Sequence, residues 1–206
     1  HAQNPPLNGT YTIGLNGNYS TITEAVNSLI SRGVSGPVVF NIKDGDYVEQ
    51  VVIPGIDGSS SVNTISFQSE SSDSTAVRIL YNSNSDKNYI IMLKGADYIK
   101  FRKLSFEPTN PDYGRAIVLD SGAHYNYFES NIFRIPDEVP ICTNCDKENS
   151  LVFSASVIRN FQTSFTGNLF QNSNYGIISS NSKGLIISGN TFVNQQVSAI
   201  NIEFED

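Results

Sequence analysis

The sequence has no tryptophan, one methionine, two cysteines and two histidines among its 206 residues. The cysteines, Cys142 and Cys145 in "CTNC", leave a zinc site two ligands short, and His124 is the one histidine besides His1. Basic residues are also scarce: 13 Lys and Arg stand against 20 Asp and Glu, a net charge of −7 and a pI near 4.8. Without a basic stripe, nucleic acid is excluded as a partner, and an anionic membrane surface is a poor one. No apolar run approaches the length that spans a bilayer, so membrane insertion is not expected.

A signal peptide is missing too. The opening "AQNPPLNGTYTIG" instead reads like the start of a mature exported chain, with His1 an added residue. The expected location is extracellular or at the cell surface. Charged residues make up only 16%, and Asn and Ser take their place. That composition suits a fold of many turns and flat polar faces.

Helical periodicity occurs once. In "YSTITEAVNSLISRGVSGPVVFNI", Thr21 and Glu24 form a capping box, and Ile22, Ala25, Val26, Leu29 and Ile30 share one face. Gly33 and Gly36–Pro37 end this helix, expected over Ile22–Ser31, and a buried strand follows at Val38–Ile42. Short β segments then run to the end of the chain, separated by Gly, Asn, Asp or Ser. With no helices between them, a doubly wound sheet is excluded.

The segments repeat. "SNIF" at 130–133 returns as "GNLF" at 167–170 and "GNTF" at 189–192. Steps between Phe106, Phe133, Phe170 and Phe192 are 27, 37 and 22 residues. A coil of about 22 residues fits all three if insertions sit at "PTNPD" (108–112) and at 136–150. This period predicts an all-β parallel β-helix, a solenoid of stacked coils. Phe106, Phe133, Phe170 and Phe192 then form one inward column, and Phe101, Phe128, Phe165 and Ile187 another. Leu104, Asn131, Asn168 and Asn190 line a bend, where Asn is expected to take the left-handed conformation and bond from coil to coil.

These features resemble the right-handed parallel β-helix proteins of the pectin-lyase-like superfamily. "YSTITEAVNSLISRGVSGPVVFNIKDGDYVEQVVIPGI" is similar to the start of pectin methylesterases, with Gly45, Tyr47 and Glu49 in their Gly-x-Tyr-x-Glu element. "NGTYTIG", "YSTITEAVNSL" and "RGVSGPVVFNI" more narrowly resemble β-helix modules of large secreted or surface proteins of Bacteroidota. The esterase motifs Gln-Asp-Thr, Asp-Phe-Ile-Phe-Gly and Leu-Gly-Arg-Pro-Trp do not occur, so no esterase catalytic residue carries over.

The expected organisation is one β-helix domain over 1–206. A leader strand region spans 1–18, a capping helix 19–33 and coils 36–206. The 136–150 insertion is expected beside Tyr125 and Tyr127, closed by a Cys142–Cys145 disulfide, with two free thiols as the alternative. Since no cap follows Ala199, the chain reads as the N-terminal part of a longer one, open to end-to-end self-association through its last coil.

For chemistry, Lys100, Arg102 and Lys103 form a basic row, and alignment sets Arg102 beside Glu129 as an ordinary ion pair. Asp97, Glu107, Asp112, Asp120, Glu129, Asp137 and Glu138 supply carboxylates, but the sequence selects no pair. Asp44 and Asp46 read as turn formers, and His124 has no identifiable Ser or Asp partner. The candidate ligand surface is Tyr98, Tyr113, Tyr125 and Tyr127, because aromatic rings stack on sugars. The expected function is a secreted or surface module that binds polysaccharide or serves as a rigid scaffold, without a cofactor. The alternative is a lyase or glycoside hydrolase acting on an acidic, pectin-like polysaccharide, with calcium entering only for a lyase.

Overall fold

The computed structural model describes residues 4–137, 140 and 146–203. Cys142 and Cys145, with the disulfide expected between them, lie outside the described residues, as does Glu138.

The chain begins with β1 (Leu7–Ile13) and α1 (Ile22–Arg32), and then coils. Thr21 caps α1, its hydroxyl accepting the Glu24 N–H at 3.1 Å, and Glu24 returns to the Ser20 N–H at 2.8 Å. A second carboxylate reaches the same helix end. Glu49 accepts the N–H groups of Ile22 and Thr23 at 2.9 and 2.8 Å. Tyr47, two residues earlier, donates its hydroxyl to the Lys43 carbonyl at 2.8 Å. The Gly-x-Tyr-x-Glu element thus ties the helix start to the first coil, where negative charge favours the helix dipole. Ile22, Ala25, Val26 and Leu29 are buried on the core, so α1 covers the top of the solenoid.

Three strands make most coils. They are β2 (Val34–Ile42), β3 (Gly45–Val48) and β4 (Val51–Pro54); then β5 (Ile65–Ser69), β6 (Val77–Tyr81) and β7 (Ile91–Lys94). Next come β8 (Ile99–Arg102), β9 (Ser105–Pro108) and β10 (Ile117–Asp120), followed by β11 (Tyr127–Glu129), β12 (Ile132–Arg134) and β13 (Ser150–Ser154). The last coils hold β14 (Asn160–Phe161), β15 (Ser164–Thr166) and β16 (Leu169–Ser180), then β17 (Ser182–Lys183), β18 (Ile186–Ser188) and β19 (Thr191–Glu203).

All pair in parallel. One face is the 7-stranded sheet β1-β2-β5-β8-β11-β15-β18. The 10-stranded sheet folds over to make the other two faces, joined through the long β16. The result is a right-handed parallel β-helix. β16 runs unbroken because no insertion interrupts it, whereas residues 109–116 separate β9 from β10 and residues 135–149 separate β12 from β13.

The predicted columns are present. Phe106, Phe133, Phe170 and Phe192 pair in register, with centroids 5.2, 4.9 and 4.7 Å apart. Phe101, Phe128, Phe165 and Ile187 also pair, and the column continues upward through Phe67 and Phe40. Apart from Phe192 and Ile187 at the lower end, these rings are fully buried. Ring spacing follows strand spacing, so stacking comes with the ladder.

The asparagine bend differs from expectation in one respect. Left-handed backbone belongs to Lys103, Ser130, Gly167 and Gly189 at φ 54, 54, 64 and 64°, each one position earlier. The Asn residues hold the bend by side-chain bonds instead. Asn131 accepts the Leu104 N–H at 3.0 Å and donates to the Phe101 carbonyl at 2.9 Å, and Asn168 and Asn190 repeat the pattern. A carboxamide with both partners one coil away satisfies buried backbone at every level.

Candidate functional site

The outward residues of β8 and β11, in the middle of the 7-stranded face, are large and polar or aromatic. Lys100 and Arg102 project from β8, and Tyr127 and Glu129 from β11, paired Lys100 to Tyr127 and Arg102 to Glu129. The Lys100 ammonium lies 5.6 Å from the Tyr127 ring centroid. Arg102 meets Glu129 at 2.7 Å, with both side chains about half exposed. The predicted ion pair is present and spans adjacent coils outside the core.

The edge of this face leading into β8 and β11 carries Tyr98 and Tyr125. Their rings stack at 4.9 Å and 4°. Both residues have left-handed backbone, φ 60 and 56°, which costs about 1 kcal/mol or more for a bulky side chain. Gln162 and Gly184 take the corresponding places lower down, at φ 51 and 72°. The strained tyrosines are held by the ladder, because Tyr98 N–H bonds the His124 carbonyl at 3.1 Å and Tyr125 N–H that of Phe161 at 2.8 Å. Desolvation among its neighbours, then the Tyr125 phenol and Asp97, pushes the Tyr98 phenol above its ordinary pKa.

His124 extends the aromatic edge. Its ring lies 5.0 Å from Phe161 and 6.3 Å from Tyr125. Nδ1 accepts the Phe161 N–H at 3.2 Å, so the neutral ring carries its proton on Nε2. His124 thus serves as an inter-coil acceptor rather than as the base of a triad.

On the opposite edge of the face, a groove of about 350 Å³ is lined by Gln68, Ser72, Arg102, Lys103, Glu129 and Ser130. The site as a whole offers phenol hydroxyls, ring edges and one ring face beneath an ammonium. Beside these lies a basic rim. These groups can form hydrogen bonds and stacking contacts.

Three of the four expected tyrosines therefore come together. Tyr113 does not: it lies between β9 and β10, at the bend where the insertions emerge. Residues 146–149 meet that same bend, through the Gly114 N–H to Glu148 carbonyl bond at 3.1 Å and the Asn149 amide to Pro111 carbonyl bond at 2.9 Å. The insertion leaves the coil between β12 and β13, whereas Tyr125 and Tyr127 come before β12.

Several of the carboxylates take structural roles. Glu107 is fully buried between Arg78 and Arg134, each at 2.8 Å, with the Ser105 hydroxyl also at 2.8 Å. Burial alone would raise its pKa, but the bonds from Arg78 and Ser105 and the charge of Arg134 outweigh this and hold it below the ordinary value. Asp46 completes the row by pairing with Arg78 at 3.2 Å. Asp44 accepts the Ser71 hydroxyl at 2.7 Å, and Asp97 the His124 N–H at 2.7 Å. Among the described residues no His, Cys, Asp and Glu group could hold a metal ion.

No family model matches the chain, and no curated protein matches it in sequence. Solved structures do. The pectin methylesterase of Aspergillus niger in deglycosylated form superimposes with TM-score 0.58 at 15% identity, over 100% of this chain and 70% of that one. The chain shares the right-handed parallel β-helix fold of these structures. The pectin methylesterase PemA of Erwinia chrysanthemi gives TM-score 0.53 at 13% identity, over 91% of this chain and 66% of that one. At such identity the likeness is one of backbone architecture.

Within this β-helix, the register could have located the missed pairings. Lys100 to Tyr127 and Tyr98 to Tyr125 are 27 residues apart, the same step as Phe106 to Phe133. His124 to Phe161 repeats the 37-residue step of Phe133 to Phe170. Applying the register to outward residues, and not only to the core columns, assembles the site.

Proposed function

We propose that the chain is a carbohydrate-binding β-helix module of an exported or cell-surface protein, engaging a polysaccharide along the outer 7-stranded face. The observation that carries this reading is the stacked pair Tyr98–Tyr125, kept in left-handed backbone where glycine would fit without strain. Tyr127 with Lys100 above it, and the basic rim of Arg102 and Lys103, extend the surface across the face. Pectin, the polymer in the names of the similar structures, is the first candidate ligand.

A glycan array with full-length chain, paired with product analysis on pectin, tests the reading. Saturable binding that falls on Tyr127→Ala, without new products, supports a binding module. Unsaturated or shortened products would replace it with a lyase or hydrolase. Absence of binding to any glycan leaves the rigid scaffold.

A further inference from the structure

The inward aromatic column of the 7-stranded face does not end beneath the capping helix. Above Phe40 it continues into Tyr11, its register partner, and Tyr19, each 5.8 Å away by ring centroid. The two tyrosine rings lie 6.0 Å apart, inclined at 56°. Both are partly buried, packed on the core from below, while phenylalanine fills the same column from Phe40 to Phe165. They line a shallow, open depression of about 540 Å³ between β1, the turn before α1 and α1 itself.

We propose that this pocket is a carbohydrate subsite, separate from the outer face, which takes one hydroxylated sugar ring against Tyr11 and Tyr19. Its floor is rigid, because the rings close a stack that continues down the solenoid and their hydroxyls are engaged. Tyr19 donates to the Ser28 hydroxyl at 3.0 Å, and Tyr11 to the Asn8 carbonyl at 3.2 Å. The apolar ring surfaces are therefore the part left for a ligand, as the C–H face of a pyranose requires. The walls are polar. α1 turns its apolar stripe to the core, which leaves Asn27, Ser31 and Arg32 on the pocket side. Across from them, the Asn18 carboxamide oxygen is fixed by the Thr12 N–H at 2.8 Å and the Thr12 hydroxyl at 3.1 Å, leaving its amide as a donor. Among the described residues no carboxylate lines the pocket, although the chain carries a charge of −7. An aromatic floor with amide and hydroxyl walls is the pattern of a site for a polyol ring.

The test is a titration of the full chain with glucose, galactose, N-acetylglucosamine and galacturonate at millimolar concentration. Ring resonances of Tyr11 and Tyr19, assigned through Tyr→Phe variants, report binding. At least one sugar is expected to shift both resonances saturably. Asn27→Trp fills the pocket from an exposed helix position and should weaken that binding at least tenfold; Ser31→Trp serves the same end if Asn27→Trp misfolds. Tyr127→Ala, on the outer face, should leave it unchanged, so failure here is distinct from failure of the outer site. If no sugar in the panel moves the two tyrosines, or the filled variant binds as well as the parent, the subsite is overturned.

Discussion

Asn168 bonds to the coil above it in two directions. Its carboxamide oxygen accepts the backbone N–H of Asn131 at 2.9 Å, and its amide donates to the Phe128 carbonyl at 2.9 Å. Removing this side chain strands both backbone groups in a buried corner. Asn168→Ala should therefore cost about 2–4 kcal/mol, the sum of two unsatisfied buried groups. Urea unfolding measures it; a loss under about 1 kcal/mol would mean that water replaces the carboxamide.

A second ladder is incomplete. Asn126 accepts the Ile99 N–H at 2.9 Å and donates to the Ala96 carbonyl at 2.8 Å, the same pattern one strand end earlier. One coil below, Thr163 is buried and its hydroxyl has no partner. Thr163→Asn should extend the ladder and stabilise the protein by about 1 kcal/mol. Calorimetry would then show a melting point higher by about 2–4 °C, as expected for a chain of this size.

Core truncation should be severe. Phe170 stacks between Phe133 and Phe192 and is fully buried. Phe170→Ala should cost about 3–5 kcal/mol. A chemical denaturation midpoint close to that of the parent would show that neighbouring coils collapse into the space.

Glu107 predicts a pH dependence. Its folded pKa lies below the ordinary carboxylate value of about 4.3, so the unfolded chain takes up the proton first as pH falls. The stabilisation it gives is fully present above that unfolded value and is lost as pH drops through the folded one. Glu107→Gln should cost about 2 kcal/mol at pH 7, since two arginines lose a charged acceptor. The gap between parent and variant should narrow below about pH 4.3. A gap that stays constant down to the folded pKa would remove Glu107 from the acid response.

On the outer face, stability and binding should separate. Arg102 and Glu129 are both about half exposed, so Arg102→Ala should change stability by at most about 1 kcal/mol. Tyr127→Ala should change it by about 0.5 kcal/mol or less, yet weaken glycan binding at least fivefold. Isothermal titration with the best array ligand reads the second effect.

The sequence by itself determined the solenoid, because each coil meets the same neighbours above and below. Steps of 27, 37 and 22 residues between phenylalanines located the inward columns, the Asn bend and both insertions. Burial imposes that regularity, since an inward residue out of register leaves a void. The register also paired the outward Arg102 with Glu129, but outward residues carry no such packing constraint, and the tertiary structure decided how the bends are arranged. It set Tyr113 at a different bend from Tyr98 and Tyr125, because the side on which a loop leaves the coil follows from which strand it interrupts. It placed the left-handed turn on Ser130 and Gly167 rather than on the following Asn, since the Asn side chain must face inward to reach the coil above. It also brought Arg78, 29 residues before Glu107, onto the carboxylate that Arg134 reaches at the 27-residue step of the repeat.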